Sequence, residues 1–326
     1  MKFSEFAGSK EPVSRIGFGA MGLGGTLGSF REEELVRSVL HSLEKGVTFI
    51  DTARAYGDSE RLVGKALKQW QGDRPFLASK IQSRGPGSVG WGTPIPVESA
   101  FPPGWIREST EISLRELGVD TIDLMQLHQY WPQWDRADYW MEELLRLREE
   151  GKIRYIGISI PDQRHDIALP IVMSGKIDAV QTVFNIFDPL PLDCLIPFCQ
   201  ENNVAFLARC VMDEGGLSGF LTEDTAFEEG DYRKSYFDYV PRRTYMERVD
   251  RLRKFVPRYA DNLAELAIKY VLHHPGVTTA LVSMHVPAHA DQNIAAVDKE
   301  SLPDDVFQEL FRYHRWVRNF YDTKFW

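Results

Sequence analysis

Asp51, Tyr56, Lys80 and His128 are all side chains that can hold, move or polarise a proton, and each ends or closely follows a short apolar run. The local strings are FIDTARAYGDSE (Phe49–Glu60), FLASK (Phe76–Lys80) and DLMQLH (Asp123–His128). Packing alone asks for no such set. Reduction of a carbonyl does: it needs a hydride donor beside the carbon, and beside the oxygen a proton donor that can release its proton near neutral pH. No side chain supplies hydride, so a nicotinamide cofactor is implied. Tyr56 fits the proton donor. Its unperturbed pKa is ~10, and a nearby cation favours the phenolate. Lys80 fits that cation, Asp51 holds the ammonium, and His128 orients and polarises the substrate oxygen. Taken singly, each has a bland reading: a loop aromatic, a turn cap, a solvated strand end, a structural histidine. Their order on consecutive strand ends is what favours chemistry.

Eight apolar runs punctuate the chain: Ile16–Gly19, Val47–Asp51, Phe76–Lys80, Asp123–His128, Tyr155–Ser159, Ala179–Val183, Ala205–Cys210 and Thr279–Val282. Between them lie segments of helical period. In Arg31–Lys45 an apolar face repeats through Leu35, Val36, Val39 and Leu43. Ser59 is placed to cap a helix carrying Leu62, Val63 and Ala66. Tyr139–Glu150 stops at Gly151, and Leu263–His273 stops before Pro275. Strands alternating with helices predict parallel pairing. Eight such units without a glycine-rich dinucleotide fingerprint predict an α/β fold, a closed (β/α)8 TIM barrel, as a single domain over residues 1–326. Two long stretches, Ser83–Pro103 and Met212–Arg243, follow strand ends, where the active-site loops of such barrels lie.

The chain has 326 residues, 43% of them hydrophobic, and a formal net charge of −9. That composition supports a large core and argues against nucleic acid as a partner. Cys194, Cys199 and Cys210 form neither a disulfide framework nor a zinc pattern, so a reducing, cytoplasmic setting is expected. The start, MKFSEFAGSKEP, lacks the apolar core of a signal peptide, and no run reaches the length of a membrane span. His285 and His289 are four residues apart, but without further ligands nearby no metal is expected. No coiled-coil seam or other assembly signal is visible, which leaves the oligomeric state open.

GFGAMGLGG (Gly17–Gly25), DTARAYGDSERLVGKAL (Asp51–Leu67), LGVDTIDLMQLH (Leu117–His128) and GKIRYIGIS (Gly151–Ser159) resemble segments of the aldo-keto reductase family, and the resemblance runs over nearly the whole chain. It implies that Asp51, Tyr56, Lys80 and His128 are the catalytic tetrad, with Tyr56 the general acid in reduction and the base in alcohol oxidation. It also implies a cofactor held by Gly22 and Asp51, by Ser159 and Gln181 at the nicotinamide amide, and by Arg209 where the family usually has an aromatic residue. Leu217, Ser218 and Gly219 would line the pyrophosphate through backbone N–H groups.

The match frays in two places. The asparagine expected after Ser159 is missing from Ser159–Ile160–Pro161–Asp162. At Val282–Asn293, Ser283, Met284 and His285 stand where the family has a glycine and then the arginine that grips the 2′-phosphate; Asn293 is kept. Family habit makes NADP the first expectation, with Ser283, His285 and His289 as phosphate donors. NAD remains open, because histidine offers no permanent charge at neutral pH. Met21, Arg54, Trp91, Trp105, Tyr130 and Trp131 are the candidate walls for a small-molecule carbonyl or alcohol substrate, and the same aromatics could equally pack loops onto the barrel. The reaction expected is NAD(P)H-dependent interconversion of a carbonyl and an alcohol. Alternatives are a redox-neutral epimerase or lyase with a tightly held cofactor, and a regulatory subunit that senses cofactor.

Overall fold

The computed structural model describes residues 1–84, 95–136, 138–238 and 241–317. A short antiparallel hairpin comes first, β1 (Phe3–Glu5) and β2 (Pro12–Ser14). Eight parallel strands then close into a barrel: β3 (Ile16–Gly19), β4 (Phe49–Asp51), β5 (Phe76–Gln82), β6 (Ile122–His128), β7 (Ile153–Ser159), β8 (Ala179–Val183), β9 (Ala205–Arg209) and β10 (Val277–Ser283). They neighbour one another in sequence order, and β10 pairs with β3 to shut the ring. All eight expected runs are strands, and the fold is the expected (β/α)8 barrel. No described helix is long and apolar enough to cross a membrane.

The period of two along a strand explains where the chemistry sits. Phe49, Phe76, Ala78, Leu124, Ala179, Ala205, Leu207 and Leu281 pack with Phe6 and Val13 of the hairpin segment into one cluster that fills the lower barrel. The Phe6 ring lies 4.6 Å from Phe76 and 4.9 Å from Tyr155, so the hairpin plugs the floor. Two residues further along each strand, on the same inward face, come Asp51, Lys80, Gln126, Gln181, Arg209 and Ser283. The interior therefore changes from apolar to polar within one step toward the C-terminal rim, where barrel active sites lie.

The helices hold this ring from outside. Glu32–Glu44, Tyr139–Glu149 and Leu263–His273 match the periodic segments to within a residue or two. The helix Ser59–Gln69 begins as expected, but not for the expected reason. Asp58 occupies the cap position, and the Ser59 hydroxyl turns inward to the Ala20 carbonyl (2.8 Å) and the Thr52 hydroxyl (2.8 Å). That serine staples the turn after β3 to the end of β4.

Gly64, on the same helix, faces the C-terminal end of the helix Trp105–Leu117. A Cβ there would lie 2.4 Å from the Glu116 carbonyl oxygen. Backbone cannot yield as a side chain can, so Gly64→Ala is expected to lower stability by about 1–3 kcal/mol, read as a lower urea midpoint with an unchanged m-value. A neutral effect would show that the two helices separate freely.

Candidate active site

Lys80 is the hub of the rim. It is fully buried, and its Nζ donates to Asp51 Oδ2 (2.6 Å), to the Thr52 carbonyl (2.8 Å) and to the Tyr56 hydroxyl (3.3 Å). The ammonium also lies 4.7 Å from the centre of the Tyr56 ring. Asp51 Oδ1 accepts from Gln181 Nε2 at 2.8 Å, and Gln126 Nε2 lies 3.5 Å from the same oxygen. His128 ends β6, its ring edge-on to Tyr56 with centroids 6.0 Å apart. The structure thus brings Asp51, Tyr56, Lys80 and His128 together at one mouth.

Burial governs their ionisation. For Lys80, burial works against the ammonium, but the charge of Asp51 and contact with Tyr56 outweigh it, so the pKa rises and the lysine stays charged. Burial, and then the charges of Lys80 and Arg209, hold His128 well below its usual range, so it is neutral. Tyr56 departs from the expected direction. Lys80 draws its pKa down, but burial pushes it up more strongly and Asp51 adds to that, so the net shift is upward. The resting site holds a protonated phenol, a neutral imidazole and a charged lysine.

The turn Ala20–Gly24 after β3 flanks this group. At Gly24 a Cβ would fall 2.2 Å from the Tyr56 carbonyl oxygen, so backbone lies on backbone. Gly22, in the same turn, lies against the His285 ring. Met21, half-buried, is also here.

Several other expected contacts are rearranged. Arg54 is held by the buried Glu60 (2.7 Å), whose other oxygen takes a hydrogen bond from Ser79 (2.6 Å). Trp105 donates to the Gln82 carbonyl and anchors its loop to the end of β5. Tyr130 and Trp131, expected as substrate walls, are buried; Tyr130 packs with Trp134 and Trp140. These loop aromatics are core because each can bury its whole ring there. Trp91 lies outside the described residues. The N–H groups of Leu217, Ser218 and Gly219 donate to Met212, Gly215 and Gly216 carbonyls, so this tight turn already uses the donors expected for a pyrophosphate.

At the far side of the rim, Ser283 Oγ lies 2.7 Å from His285 Nδ1, and the His285 ring meets Phe30 edge-on. Burial, aided by the charges of Arg233 and His289, lowers the His285 pKa to about 4, so it carries no charge at neutral pH. His289 is exposed and Asn293 buried on the helix Pro287–Asp298. Arg209, at the end of β9, pairs with Asp162 and donates to the Ile160 carbonyl at 3.1 Å. The aromatic C-terminal segment turns back onto the barrel: Trp316 N donates to the Phe187 carbonyl (2.8 Å), and its ring meets Phe187 and Tyr245. Residues 321–326 lie outside the described set. Gln126 and the Thr52 carbonyl were not singled out from the sequence, although the inward parity of Gln126 with Lys80 marks it.

A nicotinamide amide needs polar partners at the strand ends. Ser159 Oγ is buried and has no hydrogen-bond partner among the described residues, and Gln181 is one strand away in register. An unsatisfied buried hydroxyl costs free energy unless a ligand meets it, so these residues fit the group.

The Aldo/keto reductase family model matches residues 15–313. The chain belongs to the aldo/keto reductase family. It is 30% identical over 300 residues to aldo-keto reductase YhdN of Bacillus subtilis (strain 168), covering 89% of this chain and 87% of that protein. It is 26% identical over 301 residues to the NADH-specific methylglyoxal reductase of Escherichia coli (strain K12), covering 88% and 90%. Among solved structures it resembles the holo form of aldo-keto reductase AKR11C1 from Bacillus halodurans, with a TM-score of 0.75, 28% identity and 98% of both chains covered. This aldo-keto reductase is an NAD(P)-dependent oxidoreductase acting on carbonyl and alcohol groups of small molecules.

Asp51→Asn removes the charge that balances a buried ammonium. Breaking such a pair on one side is expected to cost ~3–5 kcal/mol, measured by denaturant unfolding. A loss below 1 kcal/mol would mean that the carbonyl of Thr52 and water suffice for Lys80.

Proposed function

We propose that this chain reduces an aldehyde or ketone to an alcohol, with Tyr56 donating the proton, and that it accepts NADH at least as readily as NADPH. The observation that carries the chemistry is the single ammonium of Lys80 touching both Asp51 and the Tyr56 hydroxyl. A bound nicotinamide supplies the hydride. Ser159, with Gln181 beside it, holds its amide side. His128, neutral and beside the phenol, orients the carbonyl oxygen and adds a hydrogen bond as charge builds there. Tyr56 then passes its proton to that oxygen, and Lys80 stabilises the phenolate that remains. A phenol whose pKa lies above its ordinary value suits an acid that must arrive protonated.

The cofactor preference rests on His285. A neutral ring tied to Ser283 cannot grip a 2′-phosphate as arginine does. The NADH-specific methylglyoxal reductase among the relatives supports the same reading and suggests small reactive carbonyls as first substrates. The free thiols of Cys194, Cys199 and Cys210 agree with a cytoplasmic setting.

Tyr56→Phe is expected to lower kcat by about 10²–10⁴-fold, the usual contribution of a positioned acid, while NADH still quenches protein fluorescence on binding. Retained turnover would remove Tyr56 from the mechanism. In the wild type, the rate of reduction should stay level between about pH 6 and about pH 9, because His128 is already neutral and Tyr56 still protonated across that range. Reduction should fall only above the ordinary phenol range, and alcohol oxidation, which needs the phenolate, should climb with pH. A reduction rate that halves near neutral pH would contradict the upward shift of Tyr56.

His285→Arg restores a permanent charge and is expected to tighten NADPH binding about tenfold with little change for NADH, followed by fluorescence titration of both. Wild-type protein that already binds NADPH tenfold tighter than NADH would overturn the preference.

A further inference from the structure

Arg209 is a half-buried cation at the mouth. It ends β9, its guanidinium reaches past the end of β8, and it donates to the carbonyl of Ile160, the residue after Ser159. It therefore roofs the corner where Ser159 and Gln181 sit. Asp162 pairs with it, and both side chains are about 15% exposed, at 14% and 15%. The pair is not symmetric toward its surroundings. The Arg209 charge alone of the two acts on His128 and Tyr56, the Asp162 charge acts on Asp188, and both act on Cys210 and Glu214. Asp188, Cys210 and Glu214 line a small cavity beside the pair, together with Asp162 itself. Only the positive end bears on the catalytic group, whereas both ends bear on the acidic cavity.

The nicotinamide ring is neutral when reduced and cationic when oxidised. We propose that Arg209 is a specificity-determining residue for cofactor redox state, disfavouring the oxidised dinucleotide relative to the reduced one and so hastening release of the spent cofactor. The proposal rests on the nicotinamide reading above. Like charges repel more strongly at a desolvated corner than in water, and Asp162 moderates that repulsion without cancelling it.

The test is the ratio of dissociation constants for NAD⁺ and NADH, measured by fluorescence titration and calorimetry on the full chain, with NADP⁺ and NADPH run in parallel. Arg209→Gln is expected to lower the oxidised-to-reduced ratio about tenfold, and Asp162→Asn, which leaves the guanidinium uncompensated, to raise it. Arg209→Lys keeps the charge and should stay near the wild-type ratio. Opposite shifts in the two neutralising variants support the proposal, since a merely structural ion pair would weaken both redox forms alike. An unchanged ratio in Arg209→Gln protein that still binds NADH, or parallel shifts in both variants, would overturn it. If wild-type protein binds no form of either dinucleotide, the nicotinamide reading itself fails and takes this inference with it.

Discussion

A charged lysine with no exposed surface is the constraint on which the rest of this structure depends. An ammonium taken out of water loses several kcal/mol of solvation unless other groups replace the solvent. Lys80 recovers it from Asp51 on β4, the Thr52 carbonyl and the Tyr56 hydroxyl, while Gln181 on β8 holds the far oxygen of Asp51. The three partners of Lys80 come from the neighbouring strand β4 and the loop after it, whereas Gln181, across the barrel on β8, reaches Asp51 only because the sheet closes. Closure of the barrel therefore completes the hydrogen bonding of Asp51, the counter-ion of the buried lysine.

Charge is arranged around that lysine in alternation. Lys80 meets Asp51, Arg209 meets Asp162, and the two uncharged groups, His128 and Tyr56, feel the charge of both cations. Burial first, and then two nearby cations, explain why the imidazole does not compete for a proton. The phenol at the mouth is left protonated, because burial rather than any single partner sets its resting state.

The strands and the four rim residues were legible because a period of two along short apolar runs fixes both the element and the face. Gln126 was not, since inside DLMQLH it reads as a polar interruption until the register with Lys80 is known. The hairpin of β1 and β2 escaped for another reason: strands of three residues carry too little pattern. Ser59 looked like a helix cap because its neighbours in sequence fit one, yet its true partners, Ala20 and Thr52, are distant or lie before the helix. Tyr130 and Trp131 show the limit for aromatics, whose size serves a pocket wall and a packed core equally well. The direction of the Tyr56 shift was missed because the sequence displays the cation and hides the depth of burial.

The contact between Gly24 and Tyr56 has a mechanical meaning. With the glycine Cα side pressed on the tyrosine carbonyl, and Ser59 tying Ala20 to the same corner, the turn after β3 and the loop carrying the phenol have little freedom to slide past each other. The turn after β3 and the loop carrying the Tyr56 phenol are therefore packed together as one piece. A change that displaces one must displace the other.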